Sequence, residues 1–256
     1  DAANPRRFRR DAAAAPRRAR LGARITATEQ APFLDLGKDG SFEAWEARRQ
    51  PRARKNRRRQ ARRLAEQGEV SFVALSGGED AAAFAAHAIR LKRETMDDKG
   101  MVSPAVSDVR FERFFADAAH GRGRPAGVTV LALRSAGVPA ALKIVIENDA
   151  AAFLHVAVYE PAYGKYGAGA LLLEHLVERT IGSRRGTLDL LPPRHDYKMD
   201  FADAVTMVDD HALAVTAKGW IYTHGYLRLR RRAKALIEKL PAPARRAIAR
   251  LAGRAG

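Results

Sequence analysis

The stretch AAFLHVAVYEPAYGKYGAGALLLEHLVERTIGSRRGTLDLLPPRHDYKMD, residues 151–200, decides the fold. It begins with an apolar, β-branched run ending at Glu160 and passes through a turn bearing Gly164, Gly167 and Gly169. It continues as an amphipathic helix over 166–182 with Leu171, Leu172, Leu176 and Ile181 in one stripe, and returns through the strand TLDLL, 187–191. Strand, glycine turn and helix in that order set the N-terminus of a helix beside a strand end. Backbone N–H groups there, approached closely through glycine, can hold the pyrophosphate of an acyl carrier without side-chain charge.

Working outward, the residues before this stretch repeat a β pattern. The runs 128–134, 138–146 and 152–159 are separated by SAG and ENDA, breaks typical of hairpins, so an antiparallel meander is expected to feed the turn. Further upstream the period changes. APFLDL (31–36) and 69–75 read as strands, and Ser41 is an N-cap for a helix opening SFEAWEARR. Pro51 restarts that helix and Gly68 ends it; Asp80 caps an alanine-rich helix to about Glu94, and Asp108 to Ala119 forms another. Downstream, 205–219 reads as a hairpin turning near Asp209-Asp210, followed by a basic helix over 222–239. The expected class is α+β: a mixed, mostly antiparallel sheet flanked by helices.

Composition narrows the function. With 256 residues and 46% hydrophobic content the chain can bury a core. It has no cysteine, hence no disulfide and no thiolate metal site, and no apolar run approaches the roughly 20 residues needed to span a bilayer. The expected location is the cytoplasm, with peripheral contact to the inner face of the membrane as an extension of that reading. The net charge of +17 is unevenly placed. Residues 1–24 hold eight Arg against two Asp, residues 48–63 hold ten Arg or Lys and no acid, and residues 224–256 hold ten against Glu238 alone, so the body of the chain is mildly acidic. The runs Arg52–Arg63 and Arg228–Arg250 are read either as solvated helix faces or as contacts to an anionic surface, membrane or RNA. The chain starts with Asp and its first twenty residues lack periodicity, which suggests a piece cut from a longer protein.

Three segments in order, SFEAWEARRQPRARKNRRRQARRLAEQGEVSF (41–72), VYEPAYGKYGAGALLLEHLVERTI (158–181) and LDLLPPRHDYKMDFA (188–202), together resemble the acetyltransferase domain of CelD-like proteins of bacterial cellulose or exopolysaccharide biosynthesis. These are GNAT-superfamily acyltransferases related to the FemAB peptidyltransferases, and the likeness covers roughly 30–235. The resemblance implies a GNAT-like fold in which the turn after the fourth strand binds the pyrophosphate of acetyl-CoA or another acyl-CoA donor. It also implies that residues 1–36 are the tail of a first GNAT-like half, that 37–221 form the acyltransferase domain, and that 222–256 form a basic C-terminal helix and tail. The GNAT pattern asks for Arg or Gln where this chain has Gly164, with Lys165 a substitute.

Direct acyl transfer to an amine or hydroxyl needs a neutral nucleophile, a polarised carbonyl and a proton for the leaving thiolate. Carrier contacts are expected from Val158, Lys165, Tyr166, Gly167, Ala168 and Gly169, the carbonyl being polarised by a backbone N–H of 155–159. Candidate bases are Glu160, Asp189 and His155, with His155 read as a packed strand histidine; Tyr197 or Tyr166 is the candidate acid. The resemblance places a Tyr-Lys pair at Tyr197-Lys198, which could equally be structural, Tyr197 packing and Lys198 pairing with Asp189 or Asp200. His87, His195 and His211 lack metal-ligand spacing, so no metal is expected. There is no Walker loop, nucleophile elbow or zinc-finger spacing. FemAB-like transfer from aminoacyl-tRNA, or a non-catalytic GNAT-like protein binding anionic partners through its Arg-rich helices, are the alternatives.

Overall fold

The computed structural model describes residues 23–241, apart from 102, 122, 124 and 125, together with residue 244. Residues 1–22 and most of 242–256 lie outside the described residues, and with them most of the basic head and the end of the run Arg228–Arg250.

Seven strands, β1 (Ala23–Asp35), β2 (Val70–Leu75), β3 (Gly127–Ser135), β4 (Val138–Glu147), β5 (Ala151–Tyr159), β6 (Thr187–Asp189) and β7 (Ala204–Leu213), follow the order β2-β3-β4-β5-β6-β1-β7. The pairs β2/β3, β3/β4, β4/β5 and β1/β6 are antiparallel, and β5/β6 is parallel. The meander expected from the β-branched runs is present with ends within a residue of those read. The mixed sheet with flanking helices is the α+β fold.

By internal contacts the chain divides into a larger unit, Gln30–Thr206, and a smaller one that includes Ala23–Glu29 and Met207–Pro241. In the larger unit, α1 (Phe42–Ala47) begins at Ser41, whose hydroxyl accepts from the Ala44 N–H at 3.2 Å. Pro51 opens α2 (Pro51–Ala65), where the missing N–H costs nothing. α3 (Glu79–Asp98) starts directly after Gly78 at φ +87°, so Asp80 sits inside the first turn, where its charge favours the helix dipole, and is not the cap. The helix also runs four residues past Glu94. α3 does not continue to Pro104, which opens a separate short helix, α4 (Pro104–Ser107), and Asp108 caps α5 (Val109–His120) by accepting from the Arg110 N–H at 2.9 Å.

Two cores form on the two faces of the sheet. Leu34, Leu131, Leu133, Val145 and Leu154 pack with Trp45 of α1, Leu64 of α2 and Leu172, Leu173 and Leu176 of α6 (Ala168–Gly182). On the other face Val130, Leu142, Ile144, Val156 and Val158 pack with Ala85, Ala88 and Ile89 of α3 and Phe115 of α5. Burying an aliphatic side chain of this kind contributes about 1.5–3 kcal/mol, so both helical layers are needed to close the sheet.

In the smaller unit the expected hairpin over 205–219 is replaced by one unbroken strand, β7. The reason is across the strand: β1 begins eight residues earlier than expected and supplies a partner. Thr28 Oγ1 donates to Asp209 Oδ1 at 2.6 Å and Thr26 Oγ1 to the Asp210 carbonyl at 3.2 Å, so Asp209-Asp210 are held in a strand and do not turn. The basic helix expected from 222 begins earlier, as α8 (Ala217–Ile221), a π turn (Tyr222–Tyr226) and α9 (Leu227–Glu238).

Candidate active site

The site is set by a fault in one strand. Against β4 the register passes from Ile144↔Val156 to Val145↔Leu154, leaving His155 as an extra residue in a β-bulge. Ala152 and Leu154 face the α6 core, but beyond the bulge Val156 and Val158 face the α3 core. His155 itself packs on Phe115 of α5 at 5.0 Å, and desolvation lowers its pKa, in keeping with a packed strand histidine.

Next to the bulge the sheet opens. The β5/β6 register ends at Phe153↔Asp189, whereas β5 runs on to Tyr159. The chain after β6 is drawn away because the Leu190 N–H donates to the Pro32 carbonyl of β1 at 2.9 Å. Asp189 then accepts from the Leu191 N–H at 2.7 Å, fixing Leu191 at φ +56°. One side of β5 beyond Phe153 is therefore without a strand partner, a gap in the pairing between β5 and β6, and α6 begins just past the end of that stretch. Val158 lies on that stretch with its side chain turned into the α3 core.

At the end of β5, Glu160 leads into a 3-10 turn (Pro161–Tyr166); α6 begins at Ala168 and not at Tyr166, because Pro161 starts the turn and Gly167 closes it in the left-handed region, φ +70°. The glycines have separate reasons. A Cβ on Gly164 or Gly169 would stand 3.0 Å from the Tyr159 ring, which wedges between them. An Arg or Gln in place of Gly164 would have to displace that ring. A Cβ on Gly167 would meet Gln60 Cδ of α2 at 2.5 Å, so Gln60 sits directly before the turn. Arg63 of α2 and Lys165 lie over the Tyr166 ring at 5.6 and 5.0 Å. Polar and cationic groups thus reach this turn from α2, a contribution the motif alone does not contain.

The chain beyond β6 carries the second group of expected residues. Tyr197 and Lys198 stand on α7 (Asp196–Met199). Tyr197 is 44% exposed and stacks on His195 at 6.0 Å, yet desolvation raises its pKa. Buried Lys198 donates to the carbonyls of Leu191 at 2.7 Å and Pro193 at 3.0 Å, tying α7 to the end of β6. Burial raises the Asp189 pKa, with the Leu191 N–H and Lys198 opposing. Asp189 and Lys198 thus share the exit of β6. Glu160 lies past the end of β5, 3.5 Å from His87 Nε2 of α3.

Three cationic side chains act on one another here. Lys143, in the middle of β4, is only 2% exposed, and its pKa falls to about 7, first through desolvation and then through Lys92 of α3 and Lys198. His195 is lowered by desolvation and the same two lysines. The signal for Lys143 in the sequence is one charged residue inside AALKIVI (140–146), which marks a buried position without saying what it faces.

Of the basic residues of the Arg-rich α2, Arg57 is buried, while Arg52, Lys55, Arg58, Arg59, Arg62 and Arg63 are exposed. Buried Arg57 pairs with Glu174 of α6 at 2.9 Å and lies over the Phe201 ring at 4.9 Å, and Arg58 pairs with Glu46 at 3.0 Å. A cavity of about 770 Å³ lies elsewhere, where β3 begins and β4 ends, around buried Glu147; Thr129 donates to that carboxylate at 2.6 Å and Arg179 at 3.0 Å. Among the described residues no His, Asp and Glu side chains gather into a metal-holding group, and no helix is long and apolar enough to cross a membrane.

Comparison with known proteins supplies the family. A family model described as Acetyltransferase (GNAT) domain matches residues 51–199, more than half of the chain. No curated protein matches. Among solved structures the chain is similar to a conserved protein of unknown function from Bacteroides thetaiotaomicron VPI-5482, at 12% identity and TM-score 0.48, over 79% of this chain and 66% of that one. It is also similar to a C-terminal domain (DUF2156), from Agrobacterium fabrum, of a protein titled as a candidate lysylphosphatidylglycerol synthetase, at 11% identity and TM-score 0.42, over 81% and 66%. A third is a GCN5-related N-acetyltransferase from Kribbella flavida, at 12% identity and TM-score 0.40, over 74% and 60%. The chain spans less than two thirds of the length of each of these three structures. On the family match, this chain belongs to the GNAT acetyltransferase domain family, a family of acyltransferases.

Proposed function

We propose that the chain transfers an acyl group directly from acyl-CoA to an amine or hydroxyl acceptor. The observation that carries this reading is the gap between β5 and β6 with α6 starting at its mouth. The thioester arm would lie along the unpaired side of β5, where a backbone N–H polarises the carbonyl. The pyrophosphate would meet the turn 161–169 and the first amides of α6, at Gly167, Ala168 and Gly169. Lys165 and Arg63 supply positive charge beside Tyr166, and Gln60 supplies the polar side chain that Gly164 cannot.

The acceptor would enter from the α7 wall. Tyr197, half exposed and kept protonated by desolvation, is suited to return a proton to the departing thiolate. Lys198 holds that wall through its two carbonyl bonds, and Asp189 fixes the exit of β6. These are roles in positioning. Glu160, turned to His87, is the weaker candidate for a base. The buried pairing of Arg57 with Glu174 gives that arginine a structural place in the fold, apart from any aminoacyl-tRNA contact. The resemblance of 41–72, 158–181 and 188–202 to CelD-like domains supports a cytoplasmic role linked to cellulose or exopolysaccharide synthesis.

Thermal unfolding with acetyl-CoA and longer acyl-CoAs tests the donor. A ligand at a hundred times its Kd adds about 2.7 kcal/mol, a shift of several degrees. The reading fails if no acyl-CoA shifts the transition and if Arg63→Ala and Lys165→Ala leave acyl-CoA binding unchanged.

A further inference from the structure

Lys143 has no hydrogen bond or ion pair among the described residues, although its side chain is almost wholly buried. Such a burial is costly for an ammonium unless something answers its charge. Nothing acidic does. The charged groups that act on it are both cations, Lys92 from α3 and Lys198 from α7. The carboxylates of the neighbouring elements are engaged elsewhere: Glu174 of α6 with Arg57, Glu160 after β5 with His87, and Asp189 of β6 with the Leu191 N–H.

The position of Lys143 gives this unpaired amine a use. In the sheet register it stands opposite Ala157, in the part of β5 that has lost β6. Its side chain shares the sheet face of its register partners Leu131 and Ala157, beneath α6, one strand away from the unpaired side of β5. Lys198 stands on α7, beyond the end of β6, and its charge is felt at Lys143.

Resting on the acyl-CoA reading above, we propose that Lys143 is the proton acceptor of the transfer. Neutral Nζ takes a proton from the acceptor's ammonium, leaving an amine whose lone pair attacks the thioester carbonyl carbon. The new C–N bond forms and the C–S bond breaks. The thiolate takes a proton from the Tyr197 hydroxyl, and the nitrogen of the adduct returns one to Tyr197. Lys143 then releases its proton to water. The sum is ammonium plus thioester giving amide, free thiol and one proton. A base that is half neutral near pH 7 matches this task, and the value of about 7 for Lys143 agrees with it.

The test combines three measurements on the full chain. Lysine side chains are labelled at the ε carbon and titrated by NMR, with Lys143→Met identifying the signal. Release of CoA thiol from acetyl-CoA is followed against pH, with a panel of primary amines and with water alone. Binding of acetyl-CoA is measured by thermal shift for each variant. The proposal expects a Lys143 midpoint near the value of about 7, a wild-type rate that falls below that pH, and a loss of about 10²–10⁴-fold in Lys143→Met with the acid limb flattened. Lys143→Arg, charged but unable to accept a proton, should be equally slow while still binding acetyl-CoA. A midpoint above about 9.5, rescue by arginine, or an unchanged acid limb in Lys143→Met overturns the proposal and leaves the donor reading intact. Absence of any acetyl-CoA shift removes the donor reading and this proposal with it. Binding without thiol release at any pH overturns the proposal alone.

Discussion

Replacing Lys143 with methionine should make the protein more stable, by an amount that changes with pH. Methionine is unbranched and of similar length, so it can follow the lysine stem beneath α6 without a charged end. In the unfolded chain a lysine keeps its proton to about pH 10.5; in the fold Lys143 gives it up at about 7. Between those values unfolding takes up a proton, so wild-type stability rises with pH across that window. The cost of burying the charge is present in full below about pH 7 and is gone above about 10.5. The fall from 10.5 to about 7 corresponds to about 5 kcal/mol at roughly 1.4 kcal/mol per pH unit, an upper bound because water reaching the amine would reduce it. Lys143→Met should therefore exceed wild type by about 2–5 kcal/mol near pH 6, the difference shrinking to about 1 kcal/mol near pH 10. Urea unfolding of both proteins at matched pH values, with unchanged m, provides the measurement. Parallel pH profiles, or a methionine variant less stable than wild type near pH 6, would refute the assignment of a buried, unpaired amine.

Other outcomes follow from the walls of the gap and from the packing behind them. Gly167→Ala should lose about 1–3 kcal/mol from its left-handed backbone and the clash with Gln60; adding Gln60→Ala should recover only the clash, which a double-mutant cycle in thermal unfolding resolves. Arg57→Ala should cost about 3–5 kcal/mol, because it strands Glu174 and uncovers Phe201, and Arg57→Lys should restore only part of the midpoint. Glu147→Ala should cost a similar amount by removing the carboxylate that pairs with both Arg179, at 3.0 Å, and Arg185, at 3.7 Å, yet acetyl-CoA should stabilise that variant as much as wild type, since the cavity there is apart from the gap. Tyr197→Phe should lower kcat about 10²-fold or more with KM unchanged if its hydroxyl supplies the thiolate proton, read from steady-state release of CoA thiol.

Much of the sheet can be read from the sequence because its central strands are β-branched runs cut by hairpin breaks, and SAG and ENDA leave little freedom in where β3, β4 and β5 end. The glycine turn and α6 are legible for the same reason. What escapes the sequence is information that depends on the neighbouring chain. Ala152, Leu154, Val156 and Val158 alternate without interruption, so nothing local announces the bulge at His155. Asp209-Asp210 has the composition of a turn and becomes strand only because Thr26 and Thr28 lie opposite. Gly169 reads as a phosphate-loop glycine and Gly164 as a departure from the GNAT pattern, yet the ring of Tyr159 packs against both. Gln60 and Arg63 reach the turn from a helix a hundred residues earlier, and Lys143 is visible only as a charge in an apolar run.

The bulge at His155 also sets where this protein can change length. Loops such as the one after α3 can gain or lose residues with small effects, since they carry no facing pattern. A single deletion at His155 would instead transfer Val156, Ala157 and Val158 to the opposite faces of the sheet. Two valines would then crowd the helix that closes one core while leaving holes beside α3, and Ala157 would no longer lie over Lys143. One added residue in β5 is therefore what lets the two layers and the open wall coexist, and homologous chains keeping this gap should keep that residue count in β5 even where its identity drifts.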